Sequence, residues 1–479
     1  MVGAESWLLG IDEGTTGVRA VIADAGGQLH HQAYAEVPAE YPQPGWVEHD
    51  GEIIWRTTCA VIEQVLQQAG LQPGDIAAIG ITNQRGSAVL FDERGCPVGP
   101  ILGWQDQRTT ARCVELLEQG LFVIPNTAAS KYEWLLQNHA AGRSDLRLGT
   151  IDCWLACRLS GGGVHASDHS NYSLSGVYDL FGGGRDETTA AAMGIDPQRL
   201  PAIVDSSAVV GETDPAVFGA AVPIAALAGD QHAAMYAQAA HLPGTIELEL
   251  GTSGMVKRNE GTALGESPAG SYPLVLWSLD GERTFGVESP VFTAGAAVGW
   301  LRDGLGVVDD VGAVEALAAS VPDSDGVWVV PALAGLGGPH LELLARGMIG
   351  GLSRGSTQAH VARALLEGVA LRCSEAALAL SDGELGELRV GGGAARNDLL
   401  LTMLADASGA VVERPAALER AGLGAALLAG RALGLVDDSG VAAAWEPERR
   451  FAPRTSADER AERMEKWGRR IALVREAVG

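Results

Sequence analysis

The sequence predicts an α/β protein of two domains that arose by duplication of one unit. Two similar glycine motifs, Gly14-Thr15-Thr16-Gly17 and Gly251-Thr252-Ser253-Gly254, stand almost half a chain apart. Each follows an alternating apolar run and precedes a second strand-like run, which is typical of a β-hairpin tip. With 479 residues, the chain is also longer than one hydrophobic core normally supports. Glycines let backbone N–H groups converge on an anion, so we expect the two hairpins to hold one polyphosphate between them.

The composition excludes several classes of partner. The chain is 47% hydrophobic and 20% charged, as is ordinary for a soluble globular protein. Its formal net charge of −26 argues against nucleic acid and against anionic membranes. No apolar run approaches the about 18 residues of a membrane span. We therefore expect neither a nucleic-acid nor a membrane partner, whereas ATP can still bind through backbone amides and Mg²⁺.

The cysteines and the start of the chain indicate a reduced compartment. Cys153 and Cys157 lie one helical turn apart, but no His or Cys nearby completes a metal set. Buried thiols are the interpretation that fits this spacing best. Met1 to Ser6 lacks the basic and apolar segments of a secretory signal. The predicted location is the cytoplasm.

The first half alternates strands and helices. Residues 6–37 predict three short strands joined by tight turns. Asp50 is the predicted N-cap of a helix with apolar residues at helical spacing. The run 76–81 predicts a buried strand, followed by the polar cluster 82–86. Because α/β proteins bind ligands at the carboxyl ends of such strands, this cluster is a candidate site.

The remainder of the first half is less regular. A turn at 92–95 is followed by helices predicted near 106–119 and 131–139. Glycines at 161–163 and 182–184 predict a mobile surface segment. Within it, His165 and His169 are interpreted as solvated loop side chains rather than ligands, because no carboxylate or cysteine completes a site.

The second half is predicted to begin near Leu242-Pro243-Gly244, giving domains 1–241 and 242–479. After the second hairpin, we expect a strand near 284–288, a helix over 294–303, a strand over 327–331, a helix over 356–380 and a strand, glycine turn and helix over 388–404. The turn Gly391-Gly392-Gly393 suits a nucleotide at a helix N-terminus. A simple tight turn between strand and helix is the alternative.

Taken in order, these segments resemble the FGGY family of carbohydrate kinases, and within it the glycerol kinases most closely. The resemblance covers nearly the whole chain and is carried by 10–17, 41–50, 79–85, 104–106, 228–231, 251–254, 331–339 and 391–394. It implies two ribonuclease-H-like domains of the actin, Hsp70 and hexokinase type, with an active-site cleft between them. It further implies an enzyme that uses ATP and Mg²⁺ to phosphorylate a hydroxyl of a small polyol or sugar. Family members often form dimers or tetramers, so a homo-oligomer is expected.

The resemblance gives two aspartates a role in catalysis. Asp230 matches the family's catalytic base, whereas its local sequence alone favours a helix N-cap. Asp12 matches the aspartate that approaches Mg²⁺ and the phosphates, whereas its local sequence alone fits a turn aspartate.

Further positions follow from the same motifs. The expected ATP-binding residues are Asp12, Gly14, Thr15, Thr16, Gly251, Thr252, Gly335, Gly392, Gly393, Ala394 and Asn397. The expected acceptor-binding residues are Gln84, Arg85, Trp104, Asp230 and Gln231. From the residues alone, Gln84 is also explained as a buried amide at a strand end and Trp104 as a core aromatic.

The match to glycerol kinases fails mainly where the acceptor should bind. Gly86 replaces a Glu, Asn126 stands at or near the position of a Tyr in a segment shortened between Gly120 and Lys131, and Met255 replaces a Phe. The stretch 340–342 also differs, and 214–223 lacks a basic inhibitor-binding loop. Since selectivity for hydroxyls depends on paired polar groups, we expect weak glycerol binding and a bulkier polyol or sugar, with glycerol as the conservative alternative. The alternative from another class is a non-catalytic sensor of a metabolite or nucleotide on the same fold.

Overall fold

The computed structural model describes residues 6–381 and 383–477, so the start of the chain, on which the expected absence of a secretory signal depends, lies outside the described residues. The described chain divides into two compact units. The first unit comprises residues up to Ala239 together with Leu274–Thr284 and Arg420–Trp445. The second unit comprises Ala240–Pro273, Phe285–Glu419 and the residues from Glu446 onward.

The strands are, in chain order, β1 Trp7–Gly14, β2 Gly17–Asp24, β3 Leu29–Glu36, β4 Glu48–His49, β5 Ile76–Asn83, β6 Val89–Phe91, β7 Ile101–Leu102, β8 Arg147–Gly149, β9 Ala166–Asp168, β10 Tyr178–Asp179, β11 Gly184–Arg185, β12 Ala202–Val204, β13 Ser207–Glu212, β14 Pro223–Gly229, β15 Ile246–Leu250, β16 Gly254–Gly261, β17 Tyr272–Leu279, β18 Glu282–Val291, β19 Trp328–Val330, β20 Met348–Gly350, β21 Glu387–Gly391, β22 Val411–Arg414 and β23 Arg449–Phe451.

The α-helices are, in chain order, α1 Gly51–Ala69, α2 Thr110–Glu118, α3 Ala129–His139, α4 Ile151–Leu159, α5 His169–Tyr172, α6 Glu187–Ala192, α7 Pro215–Phe218, α8 Asp230–Ala237, α9 Gly295–Asp303, α10 Ala313–Ala319, α11 Gln358–Leu380, α12 Asp398–Ser408, α13 Ala421–Ala432, α14 Asp438–Ala444 and α15 Ala457–Glu476. Short 3₁₀ helices lie at Pro73–Asp75, Pro197–Arg199 and Gly393–Arg396.

The main sheet of the first unit has the strand order β13-β14-β5-β1-β2-β3. Strands β1, β2 and β3 form an antiparallel meander. Strands β5 and β14 then extend the sheet in parallel with β1. This pairing places the carboxyl ends of β1, β5 and β14 side by side, which is where open α/β sheets bind ligands.

The main sheet of the second unit repeats this arrangement, with the order β17-β18-β16-β15-β21-β22-β23. Strands β15, β16 and β18 pair antiparallel, and β21 and β22 continue in parallel with β15. The predicted duplication is therefore confirmed: each unit has a hairpin meander followed by parallel strands, and each glycine motif forms the tip between the first two strands.

Helix α1 shows how the local sequence sets an element. The Asp50 carboxylate accepts hydrogen bonds from the backbone N–H groups of Glu52 and Ile53, which satisfies donors that a helix start leaves free. Its apolar stripe, with Ile54, Val61 and Val65 fully buried, packs on the first sheet. The predicted helix and its cap are both confirmed.

Helix α13 lies late in the sequence yet packs on the sheet of the first unit, which the sequence patterns did not predict. It is rich in Gly and Ala. A Cβ atom added at Gly10 would lie 1.9 Å from the Gly422 carbonyl oxygen, and one at Gly80 would lie 1.9 Å from that of Ala425. Small residues on both sides thus let the helix backbone contact β1 and β5 directly.

Two local predictions for the first half are wrong. Helix α2 begins at Thr110 rather than near 106, because the Asp106 carboxylate instead accepts hydrogen bonds from Val47 N–H and from Arg108, which holds 106–109 in a turn. The prediction of a surface segment is wrong for the residues between the two glycine stretches, since β9 is buried, whereas Gly161, Gly163 and Gly182 are exposed.

The two histidines of that segment are partly buried and hydrogen-bonded, contrary to the prediction of solvated side chains. His165 Nε2 donates to the Leu148 carbonyl at 2.9 Å, and burial lowers the pKa of His165 to about 4. His169 Nδ1 shares a hydrogen bond of 2.7 Å with the Tyr178 hydroxyl. The glycines there make tight turns instead of a loose loop.

Cys153 and Cys157 have no exposed surface, which confirms that both are buried thiols. Within residues 6–381 and 383–477, no helix combines the length and apolar character needed to cross a bilayer.

Candidate functional site

The carboxyl ends of three parallel strands bring the predicted residues of the first unit together. Glu13 of β1 lies beside Asn83 of β5, and Asn83 lies beside Gly229 of β14. The chain continues from these strands directly into the Gly14–Gly17 hairpin tip, into Gln84 and Arg85, and into Asp230. Sequence motifs that are more than two hundred residues apart, such as Gly14 and Asp230, therefore converge because of the strand register.

Asp230 lies beside Arg85. The Arg85 Nε and Asp230 Oδ1 atoms are 3.5 Å apart, and the side chains are 9% and 30% exposed. Arg85 Nη1 is also 3.2 Å from His232 Nε2. Gly229, rather than Asp230, is the N-cap of α8, and Asp230 Oδ1 accepts a hydrogen bond from Gln231 N–H at 2.8 Å. A helix start favours negative charge, and Asp230 lies at such a start with part of its side chain exposed.

Glu13, which the sequence analysis did not single out, is fully buried next to these groups. Both of its carboxyl oxygens lie 3.2 Å from Gln84 Nε2. Burial raises the pKa of the Glu13 carboxyl well above its usual value, and the nearby charges of Asp12 and Asp230 act in the same direction. Gln84 is thus engaged as a buried strand-end amide, and its contact with an acceptor stays a prediction.

Trp104 links the acceptor residues to the first hairpin. Its indole Nε1–H donates to the Thr15 hydroxyl at 3.1 Å. Its backbone is held on both sides, since Trp104 N–H donates to Ser87 Oγ at 3.1 Å and Asn126 Nδ2 donates to the Trp104 carbonyl at 3.3 Å. The ring is only partly buried, unlike that of a core aromatic.

Gly86, one of the positions expected to differ from glycerol kinases, is enclosed by other residues of the chain. Gly86 has a φ of 74°, which favours glycine. A Cβ atom added there would lie 2.1 Å from the Asn126 carbonyl oxygen and 3.6 Å from Trp104 Cβ. The segment around Asn126 therefore occupies the space into which a side chain at position 86 would extend.

A short polar motif, missed in the sequence, supports two of the strand ends. Ser170 Oγ accepts a hydrogen bond from Gly229 N–H at 3.1 Å, and Asn171 Nδ2 donates to Asn83 Oδ1 at 2.6 Å. Asp168 caps this turn by accepting from the N–H groups of Ser170 and Asn171. An Asp followed by Ser and Asn after a short strand is an N-cap signal that would have found it.

Asp168 gives a testable pH dependence of stability. Burial raises the pKa of Asp168 to about 7. The hydrogen bonds that its carboxylate accepts from Ser206 and from the start of the helix lower the pKa and offset part of this rise. Between its ordinary pKa near 4 and 7, the unfolded chain loses this proton while the folded chain keeps it, so stability falls as pH rises. Across this window, we expect the free energy of unfolding of the wild type to fall by about 1.4 kcal/mol per pH unit relative to that of Asp168→Asn. Urea unfolding of both proteins between pH 4.5 and 7.5 measures this difference. If the unfolding free energies of the two proteins changed equally with pH, the prediction would be wrong.

In the second unit, the glycine motif meets the start of α9. The Gly251 carbonyl accepts a hydrogen bond from Gly295 N–H at 2.9 Å, and the Thr252 carbonyl accepts from Ala296 N–H at 3.0 Å. A Cβ atom added at Gly295 would lie 3.5 Å from Ala394 Cβ. One added at Gly392 would lie 2.6 Å from the Leu250 carbonyl oxygen. The structure thus brings together Gly251, Thr252, Gly392, Gly393 and Ala394.

Asn397 is joined to that group, because its N–H donates to the Ala394 carbonyl at 3.2 Å, whereas Gly335 lies in another loop. Asn397 is the N-cap of α12, and its Oδ1 accepts from Leu400 N–H at 2.8 Å. Gly335 lies in the loop after β19, where an added Cβ atom would lie 2.8 Å from the Leu343 carbonyl oxygen. Met255 lies on β16 between Glu249 and Pro290 of the neighbouring strands.

The backbone at three expected ATP contacts, Gly14 and Gly251 on the phosphate side and Gly393 on the adenosine side, has open space beside it. A Cβ atom added at Gly14 would meet only the Gly17 carbonyl, at 3.6 Å, and one added at Gly251 only that of Ser253, at 3.7 Å. One added at Gly393 would meet no heavy atom of the described chain within 4 Å. At Gly14 and Gly251 this space lies beside hydroxyl side chains, and backbone N–H groups together with hydroxyls are a donor set that suits phosphate oxygens.

The partly buried Asp12 carboxylate, at the end of β1, is an oxygen ligand of the kind that Mg²⁺ prefers. Among the described residues, no group of three or more His, Cys, Asp or Glu side chains is arranged to hold a metal. Mg²⁺ in kinases is commonly bound by one or two carboxylates together with substrate phosphates, so Asp12 fits that kind of site.

Comparison with known proteins agrees with this geometry. Residues 7–237 match the model of the FGGY family of carbohydrate kinases, N-terminal domain. Residues 247–433 match the model of the C-terminal domain of the same family.

Curated relatives are similar over their full length. A glycerol kinase of Bordetella parapertussis is 42% identical over 497 aligned residues, covering 98% of this chain and 97% of that protein. A glycerol kinase of Aromatoleum aromaticum is 42% identical, covering 98% and 99%. A glycerol kinase of Deinococcus radiodurans is 40% identical, covering 98% of both.

Solved structures share the fold. The glycerol kinase of Plasmodium falciparum with ADP superposes with a TM-score of 0.89 at 24% identity, covering 99% of each chain. The xylulose kinase of Rhodospirillum rubrum superposes with a TM-score of 0.84 at 23% identity, covering 98% of this chain and 99% of that one.

These matches confirm the predicted fold class, the predicted phosphotransferase activity toward an alcohol group and the predicted use of ATP and Mg²⁺. The chain belongs to the FGGY family of carbohydrate kinases.

Proposed function

We propose that this kinase transfers the γ-phosphoryl group of ATP to a hydroxyl of a small polyol or sugar, with Asp230 as the general base. The observation that carries the proposal is the placement of Asp230 beside Arg85 and of Trp104 on Thr15. In this arrangement Arg85, which is proposed to bind acceptor hydroxyls, lies next to the Asp230 carboxylate, and Trp104, which is proposed to pack on the acceptor, lies next to the hairpin expected to hold phosphate. Such positioning is most of what phosphoryl transfer requires of a protein.

The acceptor is proposed to lie against Arg85, Trp104, Gln231 and Asp230. Arg85 donates hydrogen bonds to hydroxyl oxygens, and the Trp104 ring packs on the carbon skeleton. Asp230 orients the reacting hydroxyl and accepts its proton as the oxygen attacks phosphorus. Gln84 is proposed to contribute by fixing the start of the Arg85 loop.

The proposed ATP contacts comprise both glycine hairpins and the turn before α12. Thr15, Thr16 and the Gly14 backbone hold the phosphoryl end, and Gly251 and Thr252 add backbone and hydroxyl donors. Bound Mg²⁺ neutralises phosphate charge, and Asp12 is its proposed protein ligand. The remaining proposed nucleotide contacts are Gly335, Gly392, Gly393, Ala394 and Asn397.

We further propose that the acceptor pocket is rewritten relative to glycerol kinases. With Gly86, the site lacks a carboxylate that would accept from an acceptor hydroxyl. The Asn126 backbone fills the space beside Gly86, so the change there alters polarity rather than adding room. Asn126 in place of a Tyr and Met255 in place of a Phe remove aromatic bulk. These changes favour an acceptor bulkier than glycerol.

Glycerol itself is the second candidate acceptor. It is favoured by the 42% identity to glycerol kinases across nearly the whole chain and by the retained Arg85, Trp104, Asp230 and Gln231.

The test is the formation of ADP from MgATP with glycerol, tetritols, pentitols, ketopentoses and hexonates as acceptors. We expect kcat/KM for a larger acceptor to exceed that for glycerol by about tenfold or more, since each lost polar pair costs at least that factor. Efficient turnover of glycerol without turnover of a larger acceptor would contradict the rewritten pocket. No turnover with any acceptor would instead favour a sensor.

The functional domains are proposed to be 1–241 for the acceptor and phosphate and 242–479 for ATP. A cytoplasmic location and a homo-oligomeric state, dimer or tetramer, are proposed as well. Size-exclusion chromatography with light scattering tests the oligomeric state.

A further inference from the structure

Lys131 joins the two segments that border the acceptor residues. It lies in α3 and has no exposed surface. Its Nζ donates hydrogen bonds to the Gly86 carbonyl at 2.8 Å and to the Thr127 carbonyl at 3.0 Å. One partner directly follows Arg85 in the chain, and the other directly follows Asn126.

The hydrogen bonds of Lys131 within the described chain go to backbone carbonyls and not to a carboxylate. The nearby Asp106 carboxylate is already held by Arg108, whose Nη2 lies 2.7 Å from Asp106 Oδ2. Burial lowers the pKa of Lys131 to about 7, and the charges of Asp106 and Cys113 oppose this while that of Arg108 adds to it. Burying an amine is costly, and an apolar side chain of this length would avoid that cost. What the amine provides is the link between two carbonyls.

That link extends to two of the proposed acceptor contacts, Arg85 and Trp104. Gly86 is the next residue after Arg85, and Ser87 Oγ accepts from Trp104 N–H. On the other segment, Asn126 Nδ2 donates to the Trp104 carbonyl. The backbone of Trp104 is therefore held by one residue from each of the two segments that Lys131 ties together.

We propose that Lys131 is a positioning residue for the acceptor, which fixes Arg85 and Trp104 by holding the Gly86 and Thr127 carbonyls together. The proposal rests on the proposed function in that Arg85 and Trp104 are taken as acceptor contacts. Lys131 is not expected to touch the acceptor. It acts through the backbone of its two partners.

The test is Lys131→Met, which keeps the aliphatic stem and removes the donors. Because misplacing a substrate contact by about 1 Å costs up to about a hundredfold, we expect the KM for the acceptor to rise tenfold or more, with the KM for ATP within twofold. The readout independent of activity is amide hydrogen exchange. Exchange at Ser87, Ala88 and Trp104 should accelerate about tenfold or more, with β15 of the second unit unchanged.

A matched control removes the other fully buried lysine among the described residues. Lys257 lies 2.7 Å from Glu247 in the second unit, with both side chains buried. Lys257→Met combined with Glu247→Gln removes a buried amine together with the charge of its ion-pair partner. It should leave exchange at Trp104 and the KM for the acceptor as in the wild type.

If Lys131→Met does not fold, Lys131→Gln is measured in the same way, because its shorter amide cannot reach both carbonyls. A folded variant with wild-type exchange at Trp104 and a wild-type KM for the acceptor would overturn the proposal. An equal rise in the KM values for acceptor and ATP would overturn it too. If the wild type phosphorylates no acceptor, the proposed function fails, and the exchange measurement still decides whether Lys131 fixes these two segments.

Discussion

Replacing Asp230 by Asn is expected to lower kcat by about 10²- to 10⁴-fold, the range that general acid–base catalysis contributes. Asn keeps the size of the side chain and can still accept from Gln231 N–H through its carbonyl oxygen. It cannot take a proton from the attacking hydroxyl, and it removes the negative charge beside Arg85. The loss should therefore appear in kcat, the rate at which acceptor binding no longer limits turnover. ADP formation at saturating acceptor and ATP measures it.

The same variant should bind ATP with an affinity within about twofold of the wild type, measured by calorimetry without acceptor. Asp214→Asn is the matched control, since Asp214 also stands at a helix start in the first unit and accepts from Ala216 N–H. The control should retain full turnover. If Asp230→Asn keeps a tenth or more of the wild-type kcat, Asp230 is not the base.

Much of the fold was predictable because its signals are local. The alternating runs before Gly14 and Gly251, the Asp50 cap and the long helix α11 all depend on residues within one or two turns. The position of Asp230 was predictable only by family resemblance, since its local sequence equally suits a helix N-cap. The structure resolves this local question because Gly229 takes the cap position.

What could not be predicted depends on contacts between distant segments. The packing of α13 on β1 and β5 requires small residues on both sides, and no spacing within either segment reveals the partner. The buried state of Glu13 and the support of Gly229 by Ser170 likewise arise from strand register. The buried state of Lys131 was not predictable either, because a lysine in a helix is usually exposed, whereas this one has no exposed surface.

Restoring the residue of glycerol kinases by Gly86→Glu is expected to lower activity rather than to improve glycerol turnover. At a φ of 74° a side chain costs about 1–2 kcal/mol. In addition, a Cβ atom at this position would lie 2.1 Å from the Asn126 carbonyl oxygen, so one of the two segments must move. Since those segments hold Arg85 and Trp104, we expect kcat/KM for every acceptor to fall about a hundredfold.

Two smaller substitutions separate the causes. Gly120→Ala tests conformational cost alone, because Gly120 has a φ of 81° and no heavy atom of the described chain within 4 Å of an added Cβ. Gly86→Ala adds the collision with Asn126. Urea unfolding should show that Gly120→Ala lowers the free energy of unfolding by about 1 kcal/mol, and that Gly86→Ala lowers it by at least about 2 kcal/mol more. If both variants lost the same unfolding free energy, the segment around Asn126 would move aside without destabilising the protein, and the collision would not matter.

The collision involves a backbone carbonyl, so no substitution at Asn126 relieves it. Only a different path of the segment between Gly120 and Lys131 would make room, and that is the segment expected from the family resemblance to be shorter here than in glycerol kinases. The Glu-to-Gly change and the shortening are therefore expected to depend on each other. Gly86→Glu combined with a segment of glycerol-kinase length should recover the stability that Gly86→Glu alone loses. Because the returning carboxylate can then accept from a hydroxyl, the same protein should also gain turnover of glycerol relative to larger acceptors. A combined variant no more stable than Gly86→Glu would mean that the two changes are independent.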